Sequence, residues 1–393
     1  MTKQRILTKN FALDSAVTLC CSLNYFTLLI NMVGFSIVTF GASTAEAGLA
    51  AGLYVIGGLV SRLFFGKYVD LYGRKKVLVV SLFAALIMSA LYFAATSLLI
   101  LYVIRFLHGI TYGLISTATG AIMAKILPPS RRGEGLGYYY LSITFATAIG
   151  PFLGMVFGKS GNYDMVFSVG LVMYTLALIF SLFLKVPEET LTESQVKEAR
   201  SFRFDSIIQM TALPLAFSTM VFYLAYSSVL SYISSYAAEI DMVEAATYFY
   251  LAVSAGTVIS RFTTGKIYDA RGPNIILIPA YIMFVAGMMM FANISSAAMM
   301  YLSGFIIGYA MSIVFAVCQA VVIAKSPSHR YGVTTSTFAA FTDLGTGMGP
   351  SILGFIVAAM GYSEMYMICA FIGVISFFMY WLAHGHRHGW SPE

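Results

Sequence analysis

Three ionisable side chains stand inside stretches that are otherwise apolar: Arg105, His108 and Asp343. A charge in hydrocarbon costs several kcal/mol unless it pairs or reaches water, so each is a candidate for handling protons or solute. Asp343 is the sole acid read as lying deep in an apolar run, about 16 Å from the nearer end. A carboxyl there suits proton exchange with water on alternate sides of a barrier, or a structural hydrogen bond to a neighbouring helix. Arg105 suits binding an anionic group or relaying charge to a carboxylate, or else tying its helix to exposed carbonyls. His108, Gly109 and Tyr112 share its helical face, and His108 is placed to relay a proton or to serve only as a hydrogen-bonding side chain. Asn24 and Asn31 lie seven residues apart on one face with Phe35, and Gln319 is a further amide in an apolar run. Polar amides in such runs need a partner helix or a wet cavity. With Tyr223 and Tyr226 they are the candidates for substrate contact.

The elements that must hold these groups follow from composition. The chain has 393 residues, 59% hydrophobic and only 10% charged, against about 25% charged in a soluble domain. No soluble fold of this size covers so much apolar surface. Apolar runs separated by charged or turn-forming residues give twelve expected spans: 15–40, 46–66, 76–96, 98–125, 134–158, 164–185, 209–237, 243–265, 274–294, 298–325, 332–360 and 364–384. Each approaches the roughly 20 residues that cross hydrocarbon as a helix. The first is too long for a signal peptide.

The basic residues test the span count. Of 23 Lys and Arg, only Lys159 and Arg105 fall outside one alternating set: the N-terminus with Lys3, every second loop, a middle linker, and the C-terminus with Arg387. Arg62 and Arg261, close to the ends of the runs 46–66 and 243–265, are counted with the adjoining loops in that set. By the positive-inside rule this predicts a multi-pass protein of the cell membrane with both termini cytoplasmic. The net charge of +6 is thereby assigned to topology and not to nucleic acid. Cys20, Cys21, Cys318 and Cys369 all sit in apolar runs and read as small buried hydrophobes, with no metal site or disulfide framework. The polar stretch 187–206, with Glu188 and Glu189, reads as a linker between residues 1–186 and 207–393.

A shift of 199 residues superposes Ser61-Arg62 on Ser260-Arg261, Gly66-Lys67 on Gly265-Lys266, Asp70 on Asp269 and Gly73 on Gly272. The same shift carries Gly109 to Gly308, Gly133 to Gly332, and Gly150-Pro151 to Gly349-Pro350. One register across separate regions marks two parallel repeats, an architecture used by transporters that rock two bundles around a central site.

The run from Gly66 through Asp70 and Gly73 to Arg74-Lys75 resembles the loop signature G-x-x-x-D-x-x-G-R-[KR] of the major facilitator superfamily. Ala146 to Gly154, with Gly150-Pro151, is similar to the glycine-proline motif of its antiporter branch, Ala146 standing where glycine is usual. Arg105-Phe106-Leu107-His108-Gly109 resembles its R-x-x-Q-G motif with histidine in place of glutamine. The resemblance implies an all-α membrane protein of twelve transmembrane helices in two pseudo-symmetric six-helix bundles. It further implies that Asp70 caps the start of the eleventh span as a conformational gate with Arg74. Asp269 and Arg271 would form a weaker copy at the fifth span, since Arg271-Gly272-Pro273 departs from the signature's ending. The expected function is proton-coupled export of small organic molecules by alternating access, with proton symport of a metabolite as the alternative. No cofactor, no enzymatic activity and no nucleic-acid partner are expected. The expected partners are a small-molecule substrate, protons and lipid, and the expected working unit is the monomer.

Overall fold

The computed structural model describes residues 5–158, 163–187, 191–201 and 203–386. Lys3, Lys159, Glu188, Glu189 and Arg387 lie outside the described residues. Twelve long helices carry the chain, with no strand among the described residues. They are α1 Lys9–Phe40, α2 Thr44–Tyr72, α3 Arg74–Leu91, α4 Leu98–Ile126, α5 Arg132–Gly158, α6 Tyr163–Leu182, α7 Leu213–Glu239, α8 Val243–Arg271, α9 Asn274–Ala292, α10 Ala297–Ala324, α11 Tyr331–Met360 and α12 Tyr362–Tyr380. Two short linker helices, Glu193–Arg200 and Phe204–Ile207, join the halves. Counted over the described residues alone, ten of the long helices are long and apolar enough to cross a membrane. Of the other two, α8 is the more polar, carrying Glu244, Arg261, Lys266, Asp269 and Arg271.

Local chemistry sets the helix ends, and much of it repeats. Ser97 and Ser296, 199 residues apart, cap α4 and α10; their hydroxyls accept from Ile100 N at 3.4 Å and Met299 N at 3.3 Å. Each satisfies one of the four N–H groups left open at a helix start. Gly73 (φ 94°) and Gly272 (φ 82°) make the α2–α3 and α8–α9 turns in a left-handed conformation that disfavours any Cβ. Thr8 caps α1, its hydroxyl accepting from Phe11 N at 3.2 Å. The helix therefore begins before the apolar run does, and Asp14 falls inside it.

The chain packs into two units. The first comprises Met1–Pro128, Leu141–Gln209 and Pro327–Ser336; the second comprises Pro129–Tyr140, Met210–Ser326 and Thr337–Glu393. Within the first, α4 packs on α2 and α3, and α6 on α1 and α3. Within the second, α10 packs on α8 and α9, and α12 on α7 and α9. The packing pattern thus repeats along with the sequence. Glycines bring backbones into contact at matched places: a Cβ on Gly57 or Gly109 would collide with a carbonyl across the α2–α4 interface, and one on Gly256 or Gly308 would do so across α8–α10. Small residues at helix crossings are the usual means of close packing in lipid, where no hydrophobic force drives helices together.

Candidate functional site

Asp70, near the end of α2, accepts hydrogen bonds from the backbone N–H groups of Gly332 at 3.0 Å and Val333 at 3.1 Å, at the start of α11. The same carboxylate pairs with Arg74 at 3.3 Å, both side chains at most 5% exposed. Arg74 also donates to Ser328 O in the turn that opens α11. The carboxylate thus meets the unsatisfied donors and the positive end of a helix dipole. Only a residue without Cβ lets it come so near, since a Cβ on Gly332 would lie 2.8 Å from Asp70 Oδ2. Gly66 lies one turn earlier, against Ser336.

The second repeat builds the same clasp. Asp269 accepts from Gly133 N at 2.8 Å and Glu134 N at 2.9 Å, at the start of α5. These contacts are as short as those of Asp70, so the copy is not geometrically weaker. The basic partner differs. Arg271 is exposed and makes no hydrogen bond or ion pair among the described residues; its expected place in the gate is corrected here. Glu134 supplies a local charge network instead, pairing with Arg131 at 2.7 Å and Lys266 at 3.8 Å. The reason is plain: a carboxylate capping a helix needs open N–H groups, not the G-R-[KR] tail.

Arg105 is 1% exposed. Its Nε donates to Ala50 O at 2.9 Å, Nη2 to Ala51 O at 3.2 Å and Nη1 to Tyr92 Oη at 3.3 Å, while its plane lies 4.6 Å from the Tyr54 ring. Every guanidinium nitrogen has a protein acceptor. This is the helix-tying geometry and not a cavity-lining one, because the α2 carbonyls reach the arginine across the close α2–α4 crossing. His108 is fully buried, with Tyr92 Oη 3.0 Å from Nδ1 and Tyr174 Oη 2.9 Å from Nε2. Both ring nitrogens are occupied, and the ring joins α4 to α6 and to the turn after α3.

The profile described as the Major Facilitator Superfamily matches residues 15–308 and 275–392. The chain belongs to the Major Facilitator Superfamily. It is 22% identical over 369 residues to the multidrug resistance protein MdtG of Dickeya zeae, covering 91% of this chain and 90% of that one. It is 22% identical over 354 residues to the staphylopine export protein of Staphylococcus aureus, covering 87% and 88%. Among solved structures, the proton:xylose symporter XylE superposes with a TM-score of 0.75 at 16% identity, covering 95% of each chain.

The superfamily's glycine-proline motif is a packing device here. Thr27 of α1 donates to Gly150 O at 3.1 Å, and Asn31 donates to Thr27 O at 2.9 Å and to Gly154 O at 3.0 Å. Pro151 sits within α5, Ala146 is fully buried, and a Cβ on Gly154 would lie 2.8 Å from Asn31 Nδ2. In the second repeat, Tyr232 of α7 donates to Pro350 O at 2.5 Å, and Gly349 packs on Ser227. Asn31 was a substrate candidate; its amide hydrogens instead serve backbone carbonyls of α1 and α5. Phe35 is likewise core, packed with Leu28, Met32, Tyr92 and Phe167, and Asn24 is buried against Gly170 of α6.

The remaining candidates divide between the units. In the first, Tyr112 stacks on Tyr25 at 5.2 Å and leans on Tyr54 at 5.6 Å. In the second, Gln319 accepts from Tyr140 Oη, and Tyr223 donates to Met311 Sδ at 3.2 Å and packs against Tyr226 at 5.7 Å. Asp343 is half-buried in α11 and engaged by other groups. Three charged residues lie deeper in helices than the sequence reading places them. Asp14 in α1 is fully buried, with neither carboxylate oxygen hydrogen-bonded, so Asp343 is not the sole deep acid. Arg62 and Arg261 stand well inside α2 and α8 and not in loops. Their shared register in the repeat was the signal that marked them.

Proposed function

We propose that this chain is a secondary transporter of the cell membrane, both termini cytoplasmic, that exports small organic molecules in exchange for protons by alternating access. The observation that carries this reading is the pair of repeat-related clasps, Asp70 on the start of α11 and Asp269 on the start of α5. Each is a sequence-distant tie made of a few charge-assisted hydrogen bonds, strong enough to hold one conformation and weak enough to break within a transport cycle. Export is supported by the two relatives whose names are a multidrug resistance protein and a staphylopine export protein. Asp343 is the acid assigned to proton exchange. Its position in α11, the helix that Asp70 caps, couples its surroundings to the clasp.

The test uses everted membrane vesicles with the cationic dye dansylcadaverine and the anionic dye dansylglycine. Energised vesicles are expected to concentrate one of them, to lose it on adding a protonophore, and to fail with Asp343→Asn at equal membrane abundance. Full accumulation by Asp343→Asn refutes the role of Asp343. Accumulation of neither dye refutes export.

A further inference from the structure

Arg261 is the feature that this function leaves unexplained. It lies about 15 Å along α8 from the helix end at Arg271 and is 7% exposed. A guanidinium at that depth is costly unless its charge is used. The protein meets it sparingly. Nη1 donates to Ser312 O at 3.0 Å, and the Tyr140 ring lies 5.2 Å from the guanidinium carbon. Nε is buried without a hydrogen-bond partner, and Nη2 makes no hydrogen bond among the described residues. No carboxylate of the described residues pairs with it. Arg105 offers the contrast, since all three of its nitrogens have protein acceptors.

The side without hydrogen-bond partners is the Nε–Nη2 edge, the edge by which arginine grips a carboxylate with two parallel hydrogen bonds. Aromatic surface flanks it. Tyr140 meets Phe315 edge-on at 5.0 Å, and Phe315 lies 5.9 Å from Tyr223. The Tyr140 hydroxyl is held by Gln319, which fixes the ring under the guanidinium. The repeat places Arg62 at the equivalent position of the first unit, donating to Ser116 Oγ at 3.1 Å and within electrostatic range of the Tyr25, Tyr54 and Tyr112 hydroxyls. A helix tie alone would not require the same cation near tyrosines in both repeats, since a neutral donor could serve the single bond to Ser312 O.

We propose that the Nε–Nη2 edge of Arg261 receives a carboxylate of the transported solute. The cargo class is then an organic acid with a flat apolar body that packs on Tyr140, Phe315 and Tyr223. This assignment rests on the export reading above and names its substrate class.

The experiment measures equilibrium binding to the purified full-length protein by dye fluorescence. The probes are dansylglycine and its uncharged methyl ester, and the readout is the ratio of their affinities. Two charge-assisted bonds should favour the acid by about tenfold or more in the wild type. Arg261→Gln should bring the ratio to about one, and Arg261→Lys, which keeps the charge and loses the fork, to an intermediate value. A wild-type ratio near one overturns the proposal without any variant. An undiminished ratio in folded Arg261→Gln overturns it too. If that variant does not fold, an undiminished ratio in Arg261→Lys overturns it. The outcomes separate from the export reading. Vesicles that concentrate dansylcadaverine beside a wild-type ratio near one sink the carboxylate assignment alone. A tenfold ratio with no accumulation of either dye supports the assignment and sinks export.

Discussion

Replacing Asp70 with asparagine removes one charge and one acceptor from the clasp on α11 while preserving its shape. In the native protein the carboxylate takes N–H groups from Gly332 at 3.0 Å and Val333 at 3.1 Å and neutralises a buried Arg74. Hydrogen bonds to a charged group contribute roughly 1.5–3 kcal/mol each and neutral ones about 1 kcal/mol. Asparagine keeps one neutral acceptor, so the net loss is about 3 kcal/mol, or roughly a hundredfold in the equilibrium between clasped and unclasped forms. Exchange of the Gly332 and Val333 amides requires that opening, and hydrogen exchange tracks its equilibrium constant. Deuterium uptake by a peptide spanning the start of α11 should therefore accelerate by about the same hundredfold, while a peptide within α9 is unaffected. Adding Arg74→Gln should recover part of any lost thermal stability, because it removes a buried guanidinium whose charge Asp70 no longer neutralises. Unchanged exchange at Gly332 and Val333 in folded Asp70→Asn would refute the reasoning, since those amides would then owe their protection to something other than the carboxylate.

Three further outcomes follow from the packing. His108→Phe leaves the Tyr92 and Tyr174 hydroxyls without their ring-nitrogen partner and should destabilise by roughly 2–4 kcal/mol; an unshifted thermal melt would contradict the hub. Gly109→Ala and Gly308→Ala drive a methyl into the carbonyls of Tyr54 and Val253, so each should cost about 1–3 kcal/mol, read as lower melting temperature and less monodisperse protein; tolerance at either site would deny the backbone contact there. Asp14→Asn replaces a buried carboxyl that has no hydrogen bond with a neutral isostere. It should raise the melting temperature, and a fall would mean that a partner holds the acid.

The sequence made the architecture legible because lipid demands long apolar helices, and twelve runs of that kind are hard to mistake. It was less good at where helices end. Helix α2 runs to Tyr72 and α8 to Arg271, past the apolar runs that ended at 66 and 265, so Arg62 and Arg261 lie deeper than loop charges. At the other end of the scale, Thr8 starts α1 ahead of its apolar run, which brings Asp14 inside. The clasp at Asp70 was readable from its signature. Its twin at Asp269 was undervalued because the basic tail of the signature was weighed above the helix N–H groups that bind the acid. Arg105 was placed on the right helix, but its enclosure depends on carbonyls of α2 brought near by Gly57 and Gly109, a contact no single-chain pattern encodes. Asn31 was ambiguous for the same reason: an amide in an apolar run needs partners, and only packing reveals that α5 provides them.

The claim of exchange between solute and proton is open to one direct measurement. Proteoliposomes carrying the protein and the pH dye pyranine are loaded with whichever dansyl probe the vesicles concentrate, then diluted into probe-free buffer at equal pH inside and out. Downhill exit of the probe should drive protons inward and acidify the lumen, and a protonophore should erase the signal. Alkalinisation of the lumen would mean that proton and solute travel together, and a lumen whose pH never moves while the probe leaves would mean that they are not coupled.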